Sequence, residues 1–145
     1  MLKVNNTLTI LNLPNNSLKN EGFACIVNGI VYGKGSCFLS INVSKNELTS
    51  KCMNDIGRLV QQSEVERIIM NQNHIGDKGC EELASCLGKR NCDSINYLSL
   101  ESCGIRFPGL LKLFIILEKM INLETIVLNK NHFIDVNFIN LKKVS

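Results

Sequence analysis

The sequence predicts an α/β solenoid in which about five strand–helix repeats stack into one domain over residues 1–145. Two observations predict it. A motif of apolar residues recurs with a period of about 29 residues, and each copy is followed by apolar residues at helical spacing. The composition agrees, because 45% of the 145 residues are hydrophobic and 20% are charged. That balance excludes a disordered chain and supplies a well-filled core.

The motif that defines each strand has the form L-x-x-L-x-L-x-x-N-x-L, in which L stands for a large apolar residue. Because successive strand residues face opposite sides of a sheet, the second and third L positions point the same way and form one apolar face. A single repeat cannot bury that face alone, so stacking makes the core continuous. We place the repeats at about residues 8–35, 36–62, 63–92, 93–120 and 121–145.

An independent pattern places a helix after each strand. Six residues beyond the ninth motif position comes a mostly small residue, where a turn leads into a helix, and apolar residues follow it at i+4 and i+8. The i+4 positions are Ile26, Ile56, Leu83, Leu113 and Leu141. We therefore expect one buried helical stripe in each repeat.

The third repeat is the most regular and carries a family resemblance. Residues 73–79 read NHIGDKG and residues 80–87 read CEELASCL. This stretch resembles the N-x-I-G-D-x-G-x-x-x-L-A-x-x-L pattern of the ribonuclease-inhibitor-like class of leucine-rich repeat proteins, and the resemblance extends over residues 8–141. It implies a right-handed solenoid with parallel strands on a concave face and helices on a convex face. Cys103 in place of asparagine, and Cys52 and Asn137 in place of glycine, depart from the pattern.

The ninth motif position is expected to form a structural ladder through the solenoid. Its side chain turns inward where the chain leaves the strand, and an asparagine amide there can bond to backbone groups that would otherwise be unpaired. Each unsatisfied buried group costs about 1–3 kcal/mol. A thiol is small and tolerates burial, so a cysteine fits the same site. The ladder residues are Asn16, Asn46, Asn73, Cys103 and Asn131.

No catalytic or metal site is predicted. Cys103 would need a histidine base within hydrogen-bond reach to act as a nucleophile. His74 and His132 lie one step past the ladder positions of the adjacent repeats, where they point away from the core that Cys103 faces. The two histidines are two repeats apart, roughly 10 Å at strand spacing, which is too far for one ion to bridge. We expect solvated histidines, no cofactor and no enzymatic activity.

The concave face is the candidate binding surface, because the side chains between and beside the inward strand positions do not pack in the core. In repeats three to five they combine aromatic, aliphatic and ionic groups of the kind enriched at protein interfaces. They are Arg67, Ile69, Asn71, Tyr97, Ser99, Glu101, Thr125, Val127 and Asn129. The alternative interpretation is that Ile69 and Val127 reflect the strand preference of branched residues and that the rest is ordinary surface.

The ends of the solenoid and the cysteines bear on partners and location. Neither end carries a polar capping element, which normally shields core leucines from water. We expect a longer array, end faces covered by partners or a second copy, or a stack that tolerates frayed ends. Seven cysteines without a CxxC pair indicate reduced, buried thiols in a cytoplasmic protein. A net charge of +3 predicts no nucleic-acid surface, and no apolar run is long enough to span a membrane.

These features predict a non-enzymatic scaffold for protein–protein interaction, which binds through its concave strands and exposed end repeats within a larger assembly. The family resemblance leaves two alternatives open. One is a regulator of another enzyme, for example an activator of the small GTPase Ran. The other is a fragment of a larger sensing receptor.

Overall fold

The computed structural model describes residues 5, 7–33, 38–87, 92–118 and 120–133, in which strands and helices alternate along the chain. The strands are β1 (Ile10–Asn12), β2 (Ser40–Asn42), β3 (Arg67–Ile69), β4 (Tyr97–Ser99) and β5 (Thr125–Val127). The helices of these described ranges are α1 (Lys19–Val31), α2 (Met53–Gln62), α3 (Gly76–Leu87) and α4 (Phe107–Leu117). The predicted helical positions Asn137 and Leu141 of the fifth repeat lie outside the described residues.

The strands form a single parallel sheet in the order β1-β2-β3-β4-β5. Their central residues are aligned across the sheet and pack in one core; they are Leu11, Ile41, Ile68, Leu98 and Ile126. Sequential neighbours in a parallel sheet, joined by one helix per crossover, are the arrangement of a solenoid. The predicted α/β fold class is confirmed.

The helices cover one face of the sheet with apolar stripes. In α2 the buried aliphatic residues are Met53, Ile56, Leu59 and Val60. In α1 the stripe is rotated slightly from the prediction, because Phe23, Val27 and Ile30 are buried whereas Ile26 is only partly buried. Cys25 corrects the expectation of buried thiols: it is exposed, because it lies two residues after Phe23, on the other side of the helix. None of the described helices has the length and apolarity needed to cross a bilayer.

Asn73 is the clearest member of the ladder. Its side chain is 2% exposed, and its Oδ1 accepts the backbone N–H groups of Asn46 and Leu48, both at 3.0 Å. Its Nδ2 donates to the carbonyl oxygens of Val43 at 3.1 Å and Met70 at 2.7 Å. One amide therefore ties the loop of its own repeat to the loop of the preceding repeat, and it pairs backbone groups that have no sheet partner.

The same pattern recurs at the neighbouring steps. Asn46 Oδ1 accepts the N–H groups of Asn16 and Leu18 at 2.9 and 3.2 Å. Asn131 Oδ1 accepts the N–H groups of Cys103 and Ile105 at 3.0 and 3.1 Å. Each ladder amide thus bonds to the ladder position of the repeat before it and to the residue two positions further along.

Asn16 differs from the other ladder positions because it is exposed. β1 is the first strand of the described sheet, so the described residues include no earlier loop for its amide to bond. Its Nδ2 turns back instead to the carbonyl oxygen of Pro14 at 3.0 Å. The expectation that every ladder side chain turns inward is therefore wrong at Asn16.

A left-handed backbone residue precedes every ladder position and turns the next side chain inward. These residues are Asn15, Lys45, Gln72, Ser102 and Lys130, with φ between 53° and 61°. The conformation costs an L-amino acid about 1–2 kcal/mol. The hydrogen bonds of the ladder offset that cost, since they form only when the turn is made.

Adjacent repeats are also joined at the start of their helices. Asp77, in the first turn of α3, accepts the backbone N–H of Arg106 at 2.7 Å and that of Gly109 at 3.2 Å. It therefore caps the N-terminus of α4, where backbone N–H groups have no partner within the helix. Gly109 permits the approach, because a Cβ there would lie 2.5 Å from the Asp77 Oδ1 atom.

We predict that Asn73→Ala lowers the free energy of unfolding by about 3 kcal/mol or more, because it leaves several buried backbone groups without partners. Asn16→Ala is the matched control. It removes the same side chain at an exposed ladder position and should cost less than about 1 kcal/mol. Urea denaturation of both variants makes the comparison, and equal losses of stability would contradict the structural role of the ladder.

Candidate binding surface

The register of the sheet arranges the concave side chains in rows. The first row is formed by Ile10, Ser40, Arg67, Tyr97 and Thr125, and the second by Asn12, Asn42, Ile69, Ser99 and Val127. Asn71, Glu101 and Asn129 each lie two residues beyond the second row. All nine residues proposed from the sequence therefore lie on β3, β4 and β5 or directly after them.

Arg67 and Tyr97 are direct partners in the first row. The Arg67 guanidinium carbon lies 3.9 Å from the centroid of the Tyr97 ring, which is cation–π stacking distance. Arg67 is exposed and Tyr97 is partly buried. None of the ion pairs in the described part of the chain includes Arg67, so its guanidinium is held against the ring while its N–H donors face solvent.

Asn71 organises the polar contacts after β3 and β4. Its Oδ1 accepts the Ser99 hydroxyl at 2.6 Å and the backbone N–H of Glu101 at 3.0 Å. Its own backbone N–H donates to the hydroxyl of Ser44 at 3.1 Å. Asn71 therefore links three neighbouring repeats, through its backbone to the second and through its side chain to the fourth.

Ser99 corrects one member of the predicted surface. It is 1% exposed, because its hydroxyl bonds to Asn71 and its row neighbours Ile69 and Val127 flank it on both sides. Ser99 supports Asn71 from within and offers no surface to a partner.

Glu101 pairs with a residue that the motif did not single out. The Lys130 Nζ lies 2.8 Å from Glu101 Oε1, with the lysine side chain 73% exposed, and the hydrogen bond to Glu101 raises the pKa of Lys130. Lys130 precedes the ladder residue Asn131, and its left-handed backbone places it at this edge of the sheet. The sequence signal that could have identified Lys130 is its position directly before a ladder residue.

The remaining predicted residues lie on and after β5 and in the second row. Thr125 and Asn129 are exposed, and Ile69 and Val127 are partly buried. Ile69 and Val127 flank the buried Ser99 in register. They add aliphatic surface beside the stacked Arg67 and Tyr97, so the concave face combines apolar and charged groups within three strands.

The two rims of this face differ in charge. At the start of the strands, a recess of about 450 Å³ is lined by the carboxylates of Glu64, Glu66, Asp93 and Glu124 and by Ile121, which is 76% exposed. At the end of the strands, a recess of about 610 Å³ is lined by Lys130, His74 and His132 among others. The sheet therefore has an acidic entry rim and a more basic exit rim.

Cys103 lies beneath the exit rim and has the chemistry of a structural thiol. It is fully buried, and burial raises its pKa to about 11. Its Sγ donates to the Met70 carbonyl oxygen at 3.3 Å. A neutral, enclosed thiol is a poor nucleophile, whereas His74 and His132 are exposed. No cluster of three or more His, Cys, Asp or Glu residues suited to a metal occurs among the residues that the structure describes.

Stacked strand–helix units on one parallel sheet, joined by inward asparagine amides, define a solenoid repeat protein. A family model described as "Leucine Rich repeat" matches residues 4–27 and 65–84. Together with the sheet and the ladder, this match shows that the chain has the α/β fold of a leucine-rich repeat solenoid.

One curated relative and two solved structures extend the comparison. Human "NACHT, LRR and PYD domains-containing protein 2" is 29% identical over 133 residues, which cover 90% of this chain and 12% of that protein's length. The Caenorhabditis elegans tropomodulin C-terminal domain has a TM-score of 0.72 at 11% identity, covering 96% of this chain and 83% of that chain. "Leiomodin-1 Actin-Binding Site 2" has a TM-score of 0.72 at 14% identity, covering 95% and 79%. At these identities the two structures share the fold.

The buried thiols predict a loss of stability at alkaline pH. Burial raises the pKa to about 12 for Cys52 and Cys80 and to about 11 for Cys103, against 9.0 for an unperturbed thiol. Above about pH 9 the unfolded chain loses these protons while the folded chain keeps them, so the free energy of unfolding falls as pH rises towards 11. We expect a slope on the order of 1 kcal/mol per pH unit for each thiol.

Denaturant unfolding at pH 7 to 10.5 measures this slope. Cys80→Ala removes one buried thiol and should make the slope shallower, whereas Cys25→Ala removes an exposed thiol and should not change it. An unchanged slope in the Cys80 variant would refute the prediction.

Cys103→Asn tests the thiol as a ladder residue. The N–H groups of Asn73 and Ile75 are the counterparts of the two that Asn73 Oδ1 accepts. The Asn73 N–H interacts with the Cys103 sulfur, which is a weaker acceptor than an amide oxygen. We predict that the variant raises the free energy of unfolding by about 1 kcal/mol, as measured by thermal and urea unfolding. A clear loss of stability would mean that the site is too small for an amide, and Cys103→Ala provides the comparison with no ladder bond at all.

Proposed function

We propose that the chain is a non-enzymatic protein-interaction scaffold, which binds a partner through the concave face of its third to fifth repeats. The observation that carries the proposal is the set of ordered side chains on β3 to β5, above all the stacked Arg67 and Tyr97. Arginine and tyrosine are enriched among the few residues that dominate binding energy at protein interfaces. Side chains that are already held in place lose less conformational freedom when a partner binds.

Hydrogen bonding within the face supports the same proposal. Asn71 is fixed by Ser99 and by the backbone of Glu101, and Glu101 is paired with Lys130. Ile69, Thr125, Val127 and Asn129 complete the proposed surface, with Ser99 as its support from below. The face therefore offers defined polar groups beside aliphatic area, which favours specificity for one partner geometry.

A second contact region is proposed on α4, the last helix among the described residues. Leu111, Phe114 and Ile115 are 48%, 50% and 59% exposed. Counted from the ladder residue, Phe114 takes the place of Gly57 in α2, where an added Cβ would lie 2.7 Å from Cys86 Cβ in the next helix. By this correspondence, the exposed side of α4 offers apolar area for helix packing, in keeping with a scaffold that works inside a larger assembly.

The match to a multidomain relative favours one alternative. That relative's name includes NACHT and PYD domains besides its repeats, and the chain spans 12% of its length. The alternative proposal is that this chain acts as the repeat segment of a larger sensing receptor, with the same concave face as its binding surface. In either case we place it in the cytoplasm, because its buried thiols suit a reducing compartment, and propose protein rather than nucleic acid or membrane as its partner.

We predict that the double variant Arg67→Ala with Tyr97→Ala weakens partner binding about tenfold or more, while the melting temperature stays nearly unchanged. The matched control is Lys51→Ala with Tyr32→Ala, which removes one exposed cation and one tyrosine outside the concave face and outside α4. Because Tyr32 contacts Arg58, the melting temperature of the control is measured as well. Binding is measured by surface plasmon resonance with partners identified by crosslinking in cell extract.

The outcomes separate the proposal from a general effect of lost surface groups. A partner that is lost by the concave variant and kept by the control supports the concave face. If both variants bind the partner alike, the concave face is not the binding surface.

A further inference from the structure

Two arginine–tyrosine pairs occur among the described residues, and they differ in whether the N–H donors of the guanidinium are already hydrogen-bonded within the protein. On the helical side, Arg58 lies 5.8 Å from the Tyr32 ring centroid. Its Nη1 pairs with Asp55 at 3.1 Å, and its Nη2 donates to Asn28 Oδ1 at 2.7 Å. The donors of Arg58 are therefore engaged within the protein, and that pair is a structural contact between α1 and α2.

The concave pair is closer and its donors are unengaged. Arg67 lies 3.9 Å from the Tyr97 ring, and no hydrogen bond or ion pair to another described residue uses its guanidinium. A guanidinium stacked on a ring still presents its N–H groups at its edge, in a planar fork that matches a carboxylate. The Tyr97 ring thus orients the Arg67 guanidinium and leaves its N–H donors available to a ligand.

The other charged groups beside the two rows do not provide a counterion for Arg67. Glu101 pairs with Lys130, and the Glu66 carboxylate in the entry-rim recess accepts a hydrogen bond from the neutral side-chain amide of Asn96 at 3.2 Å and keeps its charge. Arg67 is therefore the cation in the first and second rows that has no counterion, and the aliphatic side chains of Ile69, Leu39 and Ile10 lie in or beside those rows. Ile10 is 63% exposed.

We propose that the concave face recognises a partner segment bearing a single carboxylate between apolar residues, and that the fork of Arg67, held by Tyr97, receives that carboxylate. The partner segment carries only one carboxylate because the entry rim is acidic. A segment with several negative charges that extends across this rim is repelled by its carboxylates, which belong to Glu64, Glu66, Asp93 and Glu124. Apolar residues on either side of the carboxylate contact Ile69 and Ile10. This inference rests on the proposed concave-face function and adds the chemistry of the partner.

The test uses the full chain and a seven-residue probe peptide of sequence GSLELSG, acetylated at its N-terminus and amidated at its C-terminus so that the glutamate is its only carboxylate, with counterparts that carry glutamine or lysine at the central position. Arginine-detected nuclear magnetic resonance follows the Arg67 Nε–H signal in the unmodified chain, and the backbone amide signals of β3 to β5, which every variant retains, give the dissociation constant. We expect the glutamate peptide to shift the Arg67 Nε–H signal and to bind about fivefold or more tightly than the glutamine peptide. The preference should shrink as salt is added, because the contact is exposed.

Three variants assign the effect. Arg67→Gln should abolish the preference for glutamate, and Tyr97→Leu should reduce it about threefold, because the fork is no longer held. Arg106→Gln is the matched control; it removes an exposed arginine on the exit rim that stacks on no ring among the described residues, and should leave the preference unchanged.

Two results would overturn the inference. Equal binding of the glutamate and glutamine peptides, or no binding of either, removes the carboxylate from recognition. Tighter binding of the lysine peptide would place recognition at the acidic entry rim instead. Neither result decides the proposed function, which fails only if the concave double variant and its matched control bind the partner alike.

Discussion

The amide ladder is the interaction on which the rest of the structure depends. Each strand is only three residues long, so the sheet alone gives few hydrogen bonds per repeat. Asn46 and Asn73 add side-chain bonds that join the loop of one repeat to the loop before it. Because the bonds connect equivalent positions, a shift of one residue between two repeats would break all of them at once. The ladder amides therefore fix the register of the junctions that they span, and Arg67 pairs with Tyr97 across the one junction where a cysteine stands in the ladder.

The junction between repeats three and four uses other means, because Cys103 replaces the amide there. The Cys103 thiol lies near the carbonyl oxygens of Met70 and Glu101, and it is a weaker donor to them than the Asn73 amide is to its carbonyl partners. Asp77 compensates at the helical side of the same junction by capping α4, and Asn71 does so on the concave side by bonding Ser99 and Glu101. Two polar side chains from the third repeat thus secure the junction from opposite sides of the core.

The period of the sequence predicted the features that every repeat must satisfy. The fold class, the inward strand positions and the burial of Asn46 and Asn73 follow from periodicity, since each is imposed by stacking. Features that depend on which residue stands opposite could not be read from the motif alone. Ser99 occupies a surface position of the motif but is buried because Asn71 stands beside it, and Asn16 is exposed because its amide has no earlier described loop to bond. The Glu101–Lys130 pair likewise depends on one particular neighbour.

The concave face is uneven along the solenoid, and this unevenness bears on how it can bind. On β1 and β2 the first row holds Ile10 and Ser40, followed by Arg67 and Tyr97 on β3 and β4. The stacked Arg67 and Tyr97 are confined to β3 and β4, so the entropic cost of ordering large side chains on binding is lowest there. Aliphatic area without fixed polar groups on β1 can add affinity but little selectivity. A partner that lies across the sheet would therefore be oriented by β3 to β5 and held by contacts along its whole length.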